Sequence, residues 1–275
     1  MNETPFFFQG IGYNLFGVLH LPKQKIKNTA FLFCHPFGEE KLWTHLVYVN
    51  FARELAHRGY PVLRFDYMGN GDSDGNFKDS SVETNLSDIH CALQVLREKV
   101  GSSSWLGLIG LRFGATLAAL AAENESGINR LVLWEPIVNG AQYMQELLRI
   151  NLTSQMAIYK EIRENREALV QAMKEGQTAN VDGYEITWEM FEQVSSINLL
   201  DRPKQAQPNC LIVQISPRQQ EFKKDLSLLN SRYQNGRALI TMEEPFWKEI
   251  RAFYSSAQRL YQDTLTWLEQ HDNEL

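Results

Sequence analysis

The sequence is 275 residues long, 44% hydrophobic and 22% charged, a balance that excludes a disordered chain and allows a substantial core. Its formal net charge of -6, with no cluster of Lys and Arg, gives nucleic acid or an anionic membrane no electrostatic hold. No apolar run approaches the ~20 residues of a bilayer span, and the N-terminus lacks a secretory-signal pattern. Cys34, Cys91 and Cys210 are odd in number and widely spaced, and they read as free thiols of a cytoplasmic protein. No Cys or His cluster has metal-ligand spacing, so neither a metal nor another cofactor is expected.

In chain order, residues 6–9 and 13–21 predict an antiparallel hairpin. Residues 30–34 form an apolar run suited to a strand buried on both faces, 35–41 read as a turn, and 44–57 as a helix that Gly59 ends. A strand over 61–66 leads into a loop at 67–75 rich in Gly, Asn, Asp and Ser, and Ser80 or Ser81 caps a helix running to about residue 98. Strand 105–109, helix 115–122 and strand 130–136 follow. Such strict alternation predicts a parallel sheet with helices on both faces.

From 137 to 201 the pattern turns helical with no convincing strand. Helices are predicted over 163–174 and 188–194, with a turn at 178–183. An insertion of this length between core strands reads as a lid. Strand 209–215, helix 221–233, strand 238–242 and helix 255–270 complete a core of residues 1–136 and 204–275, with 137–203 as a helical cap.

The informative stretch is Gly110-Leu111-Arg112-Phe113-Gly114, between an apolar run and an alanine-rich helix. Strand, turn and helix with glycines two residues either side of the centre make the G-x-S-x-G elbow of serine hydrolases. Here the nucleophile position holds Arg112, a permanently charged donor that cannot attack a carbonyl. The acid that should follow strand 209–215 has only Glu221 to supply it, read as already helical, and residues 243–248, where the histidine should follow strand 238–242, hold none. None occurs between His90 and His271. His35, His45, His57, His90, Ser73, Asp66 and Cys34 read as structural, so no residue is assigned a catalytic role.

Arg112 has two readings. It pairs with Glu135 or Glu39, since an unpaired buried guanidinium is costly; or it joins the helix N-terminus in gripping a carboxylate or phosphate. Phe37, Phe113, Phe246 and Trp247 are expected to border one pocket beside Gly38, either as walls of a ligand site or as cavity filling. Glu39-Glu40 and Glu243-Glu244 read as solvated turn residues.

Three segments carry a family resemblance: His35-Pro36-Phe37-Gly38-Glu39-Glu40, the run from Arg64-Phe65-Asp66-Tyr67 through Gly69-Asn70-Gly71-Asp72-Ser73 to Gly75, and the elbow. Together they resemble the α/β-hydrolase fold in its serine aminopeptidase-like and monoacylglycerol lipase-like branch. Arg112 itself, Leu133-Trp134-Glu135-Pro136, residues 145–149 and Pro245-Phe246-Trp247 are similar to the group called exosortase A system-associated hydrolase 2. The resemblance implies an eight-stranded, mainly parallel sheet with a helical lid, and a bacterial role beside exopolysaccharide production and protein sorting. It implies no known reaction. The expected function is a noncatalytic or unconventional member binding a small anionic ligand or a protein partner. The rivals are a hydrolase of ester or peptide bonds with displaced catalytic groups, and an interaction protein that uses the lid surface.

Overall fold

The computed structural model describes residues 1–23, 26–101, 105–201, 205–248 and 254–272. Ten strands and eight α-helices lie among these residues. Strands β1 (Asn2–Gln9) and β2 (Asn14–Leu21) form the antiparallel hairpin at one sheet edge. Then come β3 (Thr29–Cys34), α1 (Glu39–His57), β4 (Val62–Phe65), α2 (Val82–Val100), β5 (Trp105–Leu111), α3 (Phe113–Asn124) and β6 (Ile128–Trp134). The segment that follows carries α4 (Gly140–Tyr159), α5 (Arg166–Lys174), β7 (Ala179–Val181), β8 (Tyr184–Ile186) and α6 (Trp188–Ser195). The chain closes with β9 (Asn209–Ser216), α7 (Lys224–Asn230), β10 (Gly236–Met242) and α8 (Gln258–His271).

Eight strands make one sheet in the order β1-β2-β4-β3-β5-β6-β9-β10, antiparallel only where β2 meets β1 and β4. Its centre is apolar on both faces because successive side chains alternate. Ala30, Leu32 and Cys34 face the layer that holds α2 and α3, whereas Phe31 and Phe33 face α1 and α8. On that second face Trp134 sits in the aromatic layer of Phe51, Tyr48 and Tyr261, and its indole N–H donates to Thr264 at 3.1 Å. Burying each such large side chain contributes roughly 1.5–3 kcal/mol.

Three predicted elements differ in ways that shape the cleft. Helix α1 begins at Glu39, five residues before the expected start, because Gly38 adopts φ 54, ψ -132 and turns the chain directly into the helix. Glu40 therefore lies in a helical first turn, not in a solvated turn. Residues 178–183 are more than a turn: β7 and β8 pair through Asp182 and Gly183, both at positive φ (51 and 91), the geometry that an Asp-Gly hairpin favours. Helix α7 starts only at Lys224, which leaves Glu221 exposed in the preceding loop.

The segment between β6 and β9 is pinned at its base. Gly140 N–H donates to Ile197 O at 2.8 Å and Leu199 N–H to Val138 O at 3.0 Å. Its β7–β8 hairpin reaches back to the 3-10 turn Phe77–Asp79, where Tyr184 meets Phe77 at 4.8 Å between ring centroids.

Candidate functional site

The site is built on the turn between β5 and α3. Arg112 sits at its apex with φ 54 and ψ -124, a conformation that L side chains rarely adopt. Backbone bonds hold it there: Arg112 N–H to Trp134 O at 2.9 Å, and Ala115 N–H to Arg112 O at 3.0 Å. The flanking glycines are required by contact. A Cβ on Gly110 would lie 2.4 Å from Gly114 O, and one on Gly114 2.2 Å from Cys34 O. This is the nucleophile-elbow geometry with a cation at its tip.

The Arg112 partner is Glu40, neither Glu135 nor Glu39. Arg112 Nε donates to Glu40 Oε1 at 3.1 Å, and the side chains are 15% and 14% exposed. The guanidinium lies between two rings, 5.5 Å from the Tyr143 centroid and 5.2 Å from that of Trp247. Only Nε has a hydrogen-bond partner among the described residues, so both terminal nitrogens remain available. Burial works against the Arg112 charge, yet Glu40, Tyr143 and Glu135 raise its pKa above the ordinary value. Burial also pushes the Glu40 carboxyl up, and Arg112 only partly offsets it. Glu40 Oε2 and the Tyr143 hydroxyl lie side by side, both buried, without closing a well-formed hydrogen bond.

Glu135 is committed elsewhere. Its Oε2 accepts the Ile215 N–H at 2.7 Å and its Oε1 accepts from Lys223, while its own N–H donates to Val213 O at 2.7 Å. It ties the ends of β6 and β9 together and reaches Arg112 only through its field. Glu39 faces the β7–β8 hairpin: Tyr184 lies against its carboxyl, and burial followed by Asp182 raises its pKa.

A cavity of about 530 Å³ opens over Arg112. Phe37, Gly38, Glu39 and Glu40 form one wall, Tyr143, Glu146 and Leu147 of α4 another, and Val181, Asp182, Tyr184, Trp43 and Trp247 contribute to the rest. The four aromatics expected to share it divide. Phe37 and Trp247 line it; Phe113 lies behind Phe37 at 5.9 Å and bounds a crevice of about 10 Å³. Phe246 is buried away from it, stacked on Tyr254 at 5.5 Å.

The remaining hydrolase positions carry other work. At the end of β9, Ser216 Oγ donates to Arg218 O at 2.7 Å, and Gln214 Oε1 accepts the Lys223 N–H at 2.6 Å. After β10, Glu243 is buried, not solvated as expected: it accepts the Arg259 N–H at 2.8 Å and the Tyr254 hydroxyl, fastening the start of α8. His35 is buried against Tyr48 at 4.7 Å, and burial depresses its pKa well below the usual value. No group of His, Cys, Asp and Glu among the described residues could hold a metal ion.

Sequence reasoning passed over Glu40, Tyr143, Trp43, Glu146, Asp182 and Tyr184. Two signals pointed to some of them: a glycine followed by two acids at a helix start, and an Asp-Gly pair between short β-formers. Nothing in the α4 sequence distinguishes Tyr143 from an ordinary core residue.

Residues 27–185 match the family model described as Hydrolase_4, serine aminopeptidase, S33. The chain belongs to this family of α/β-hydrolases. No curated protein matches the sequence. Among solved structures it is similar to Est1E from Butyrivibrio proteoclasticus with bound ferulic acid: TM-score 0.69, 15% identity, covering 96% of this chain and 98% of that one. It is also similar to the α/β hydrolase GrgF from Penicillium sp. sh18, with TM-score 0.66, 15% identity and coverage of 99% and 100%. The proline iminopeptidase of Mycobacterium smegmatis gives TM-score 0.62, 12% identity and coverage of 98% and 99%. At such identities the likeness is one of fold. No described helix is long and apolar enough to cross a membrane.

Proposed function

We propose that this protein is a noncatalytic, cytoplasmic member of its family, in which the elbow binds an anionic group of a small ligand instead of attacking an acyl carbon. The observation that carries this reading is Arg112 at the elbow apex, held by Glu40 through Nε alone, with both terminal nitrogens unpaired beside a cavity of about 530 Å³. A guanidinium held by one edge and two rings presents a preorganised fork to a carboxylate or phosphate. No Ser, Thr, Cys or His lines the cavity among the described residues, which speaks against a displaced nucleophile-base pair. Residues 137–203 act in this reading as a cap over the core formed by 1–136 and 204–275. The likeness to the exosortase A system-associated hydrolase 2 group sets it beside bacterial exopolysaccharide production.

A partner-binding role for the cap is the second reading. It is favoured by the exposed Met156 and Ile158 at the end of α4 and Ile162 just beyond it. The open cavity favours the ligand. The test is a thermal-shift titration with phosphate and a series of small carboxylates on wild type and Arg112→Ala. A rise in Tm that saturates in the wild type and vanishes in the variant supports the anion-binding cleft. Equal shifts in both proteins refute it.

A further inference from the structure

The cavity over Arg112 carries more negative than positive charge. Glu39, Glu40, Glu146 and Asp182 line it against Arg112 and Lys248. Glu40 is spent on Arg112, but Glu39, Asp182 and Glu146 have no ion-pair partner among the described residues. An anion approaching Arg112 therefore crosses an uncompensated acidic rim, which repels a ligand of purely negative charge. Taking the anion-binding reading of Arg112 as its starting point, we infer that the cleft recognises a dipolar ligand: an anionic group on Arg112 and an ammonium group between Glu39, Asp182 and the ring of Tyr184.

Helix geometry separates the two ends. Glu39 and Glu40 are consecutive in α1, so their side chains leave the axis about 100° apart. Glu40 turns to Arg112 and Tyr143 on the elbow side, whereas Glu39 turns to the hairpin, meeting Tyr184 and facing Asp182. Tyr184 crosses directly over the helix start, 3.5 Å from where a Gly38 Cβ would be. Two carboxylates and an aromatic face at one point are the elements that hold an alkylammonium group. Burial raises the pKa of both acids and Asp182 raises that of Glu39 further, while the Tyr184 hydroxyl draws Glu39 down. Between the ends, the buried hydroxyl of Tyr143 and Glu40 Oε2 face each other behind the cavity wall and leave the ligand contacts to Arg112, Glu39 and Asp182.

The probe is phosphocholine, which carries both charges, titrated calorimetrically at low ionic strength beside inorganic phosphate and choline. Wild type is expected to bind phosphocholine at least roughly tenfold more tightly than phosphate. The Glu39→Gln/Asp182→Asn pair removes that preference while leaving phosphate binding undiminished, and its unchanged Tm shows that it folds. Phosphate binding wild type as tightly as phosphocholine, or the paired variant keeping the preference, overturns the inference. So does the absence of saturable phosphocholine binding at millimolar concentration. Arg112→Met separates the two claims: choline binding that survives in it, together with phosphocholine binding no weaker than in wild type, refutes the anion site on Arg112 but leaves the ammonium site standing. Capture by phosphatidylcholine vesicles, blocked by free phosphocholine, places the dipolar group on a lipid; no capture, with phosphocholine still binding, places it on a soluble molecule.

Discussion

Arg112 and Glu40 show why a charged residue is tolerated at a position built for a small nucleophile. A guanidinium and a carboxylate that are each about one-seventh exposed offset much of each other's desolvation, and two aromatic faces add roughly 0.5–2 kcal/mol each. Removing one partner leaves the other charge unmatched. Glu40→Gln is expected to lower stability by about 1–3 kcal/mol in urea unfolding, and Arg112→Met in the same chain to recover most of it. Equal losses for the double variant and the sum of the single variants would show that the pair is uncoupled. This partnership was hidden in the sequence because the residue that matters adjoins the one considered: Glu39 and Glu40 look alike until the helix start is known. Glu135 invited the same error. It stands near the elbow, but its carboxylate closes the β6–β9 edge through Ile215 N–H and Lys223.

At the scale of elements, the alternation of apolar runs and amphipathic helices was enough to place the eight-stranded sheet and its edge hairpin. Central strands carry their own signal, since both faces are buried and the runs are continuous. What escaped were the short pieces that close the cleft. Three-residue strands such as β7 and β8 are too brief for periodicity, and the start of α1 depends on the conformation of Gly38, which sequence does not display. Two elements make testable joints. Gly114→Ala drives a Cβ to 2.2 Å from Cys34 O, a backbone atom that cannot yield, and is expected to destabilise the fold by about 3 kcal/mol or more, read as a lower urea midpoint. An unchanged midpoint would mean that α3 is free to shift away from β3.

The second joint is Asp88 on α2, which accepts the Met68 N–H at 2.8 Å and the Tyr13 hydroxyl at 2.7 Å and so fastens the β4 loop and the β1–β2 turn to the helix. Burial pushes its carboxyl up from 3.8 to about 6, against the pull of those two bonds. A raised carboxyl favours the fold in its protonated form: the contribution is complete below pH 3.8 and is lost as pH climbs through about 6. Its size is on the order of 3 kcal/mol. Asp88→Asn should therefore gain stability relative to wild type between pH 4 and 7, even if one bond is lost at every pH. A difference between the two proteins that stays flat across this range would contradict the assignment.

For the molecule as a whole, the fold is the hydrolase frame, and the residues at the elbow apex and after β9 and β10 are engaged in bonds within the chain. The apex cation is stacked and paired, Ser216 and Gln214 brace the β9 loop, and Glu243 caps α8. On the proposed reading a serine at the apex would find no base, since residues 243–248 after β10 hold no histidine and His271 closes α8, its Nδ1 against Trp267 O at 2.7 Å. The most direct measurement is hydrolysis of short- and long-chain p-nitrophenyl esters and aminoacyl anilides by highly purified wild type, Arg112→Ala and Arg112→Ser. The account predicts rates at the uncatalysed background for all three. Turnover by the wild type that disappears in Arg112→Ala would contradict it and make Arg112 part of an active site.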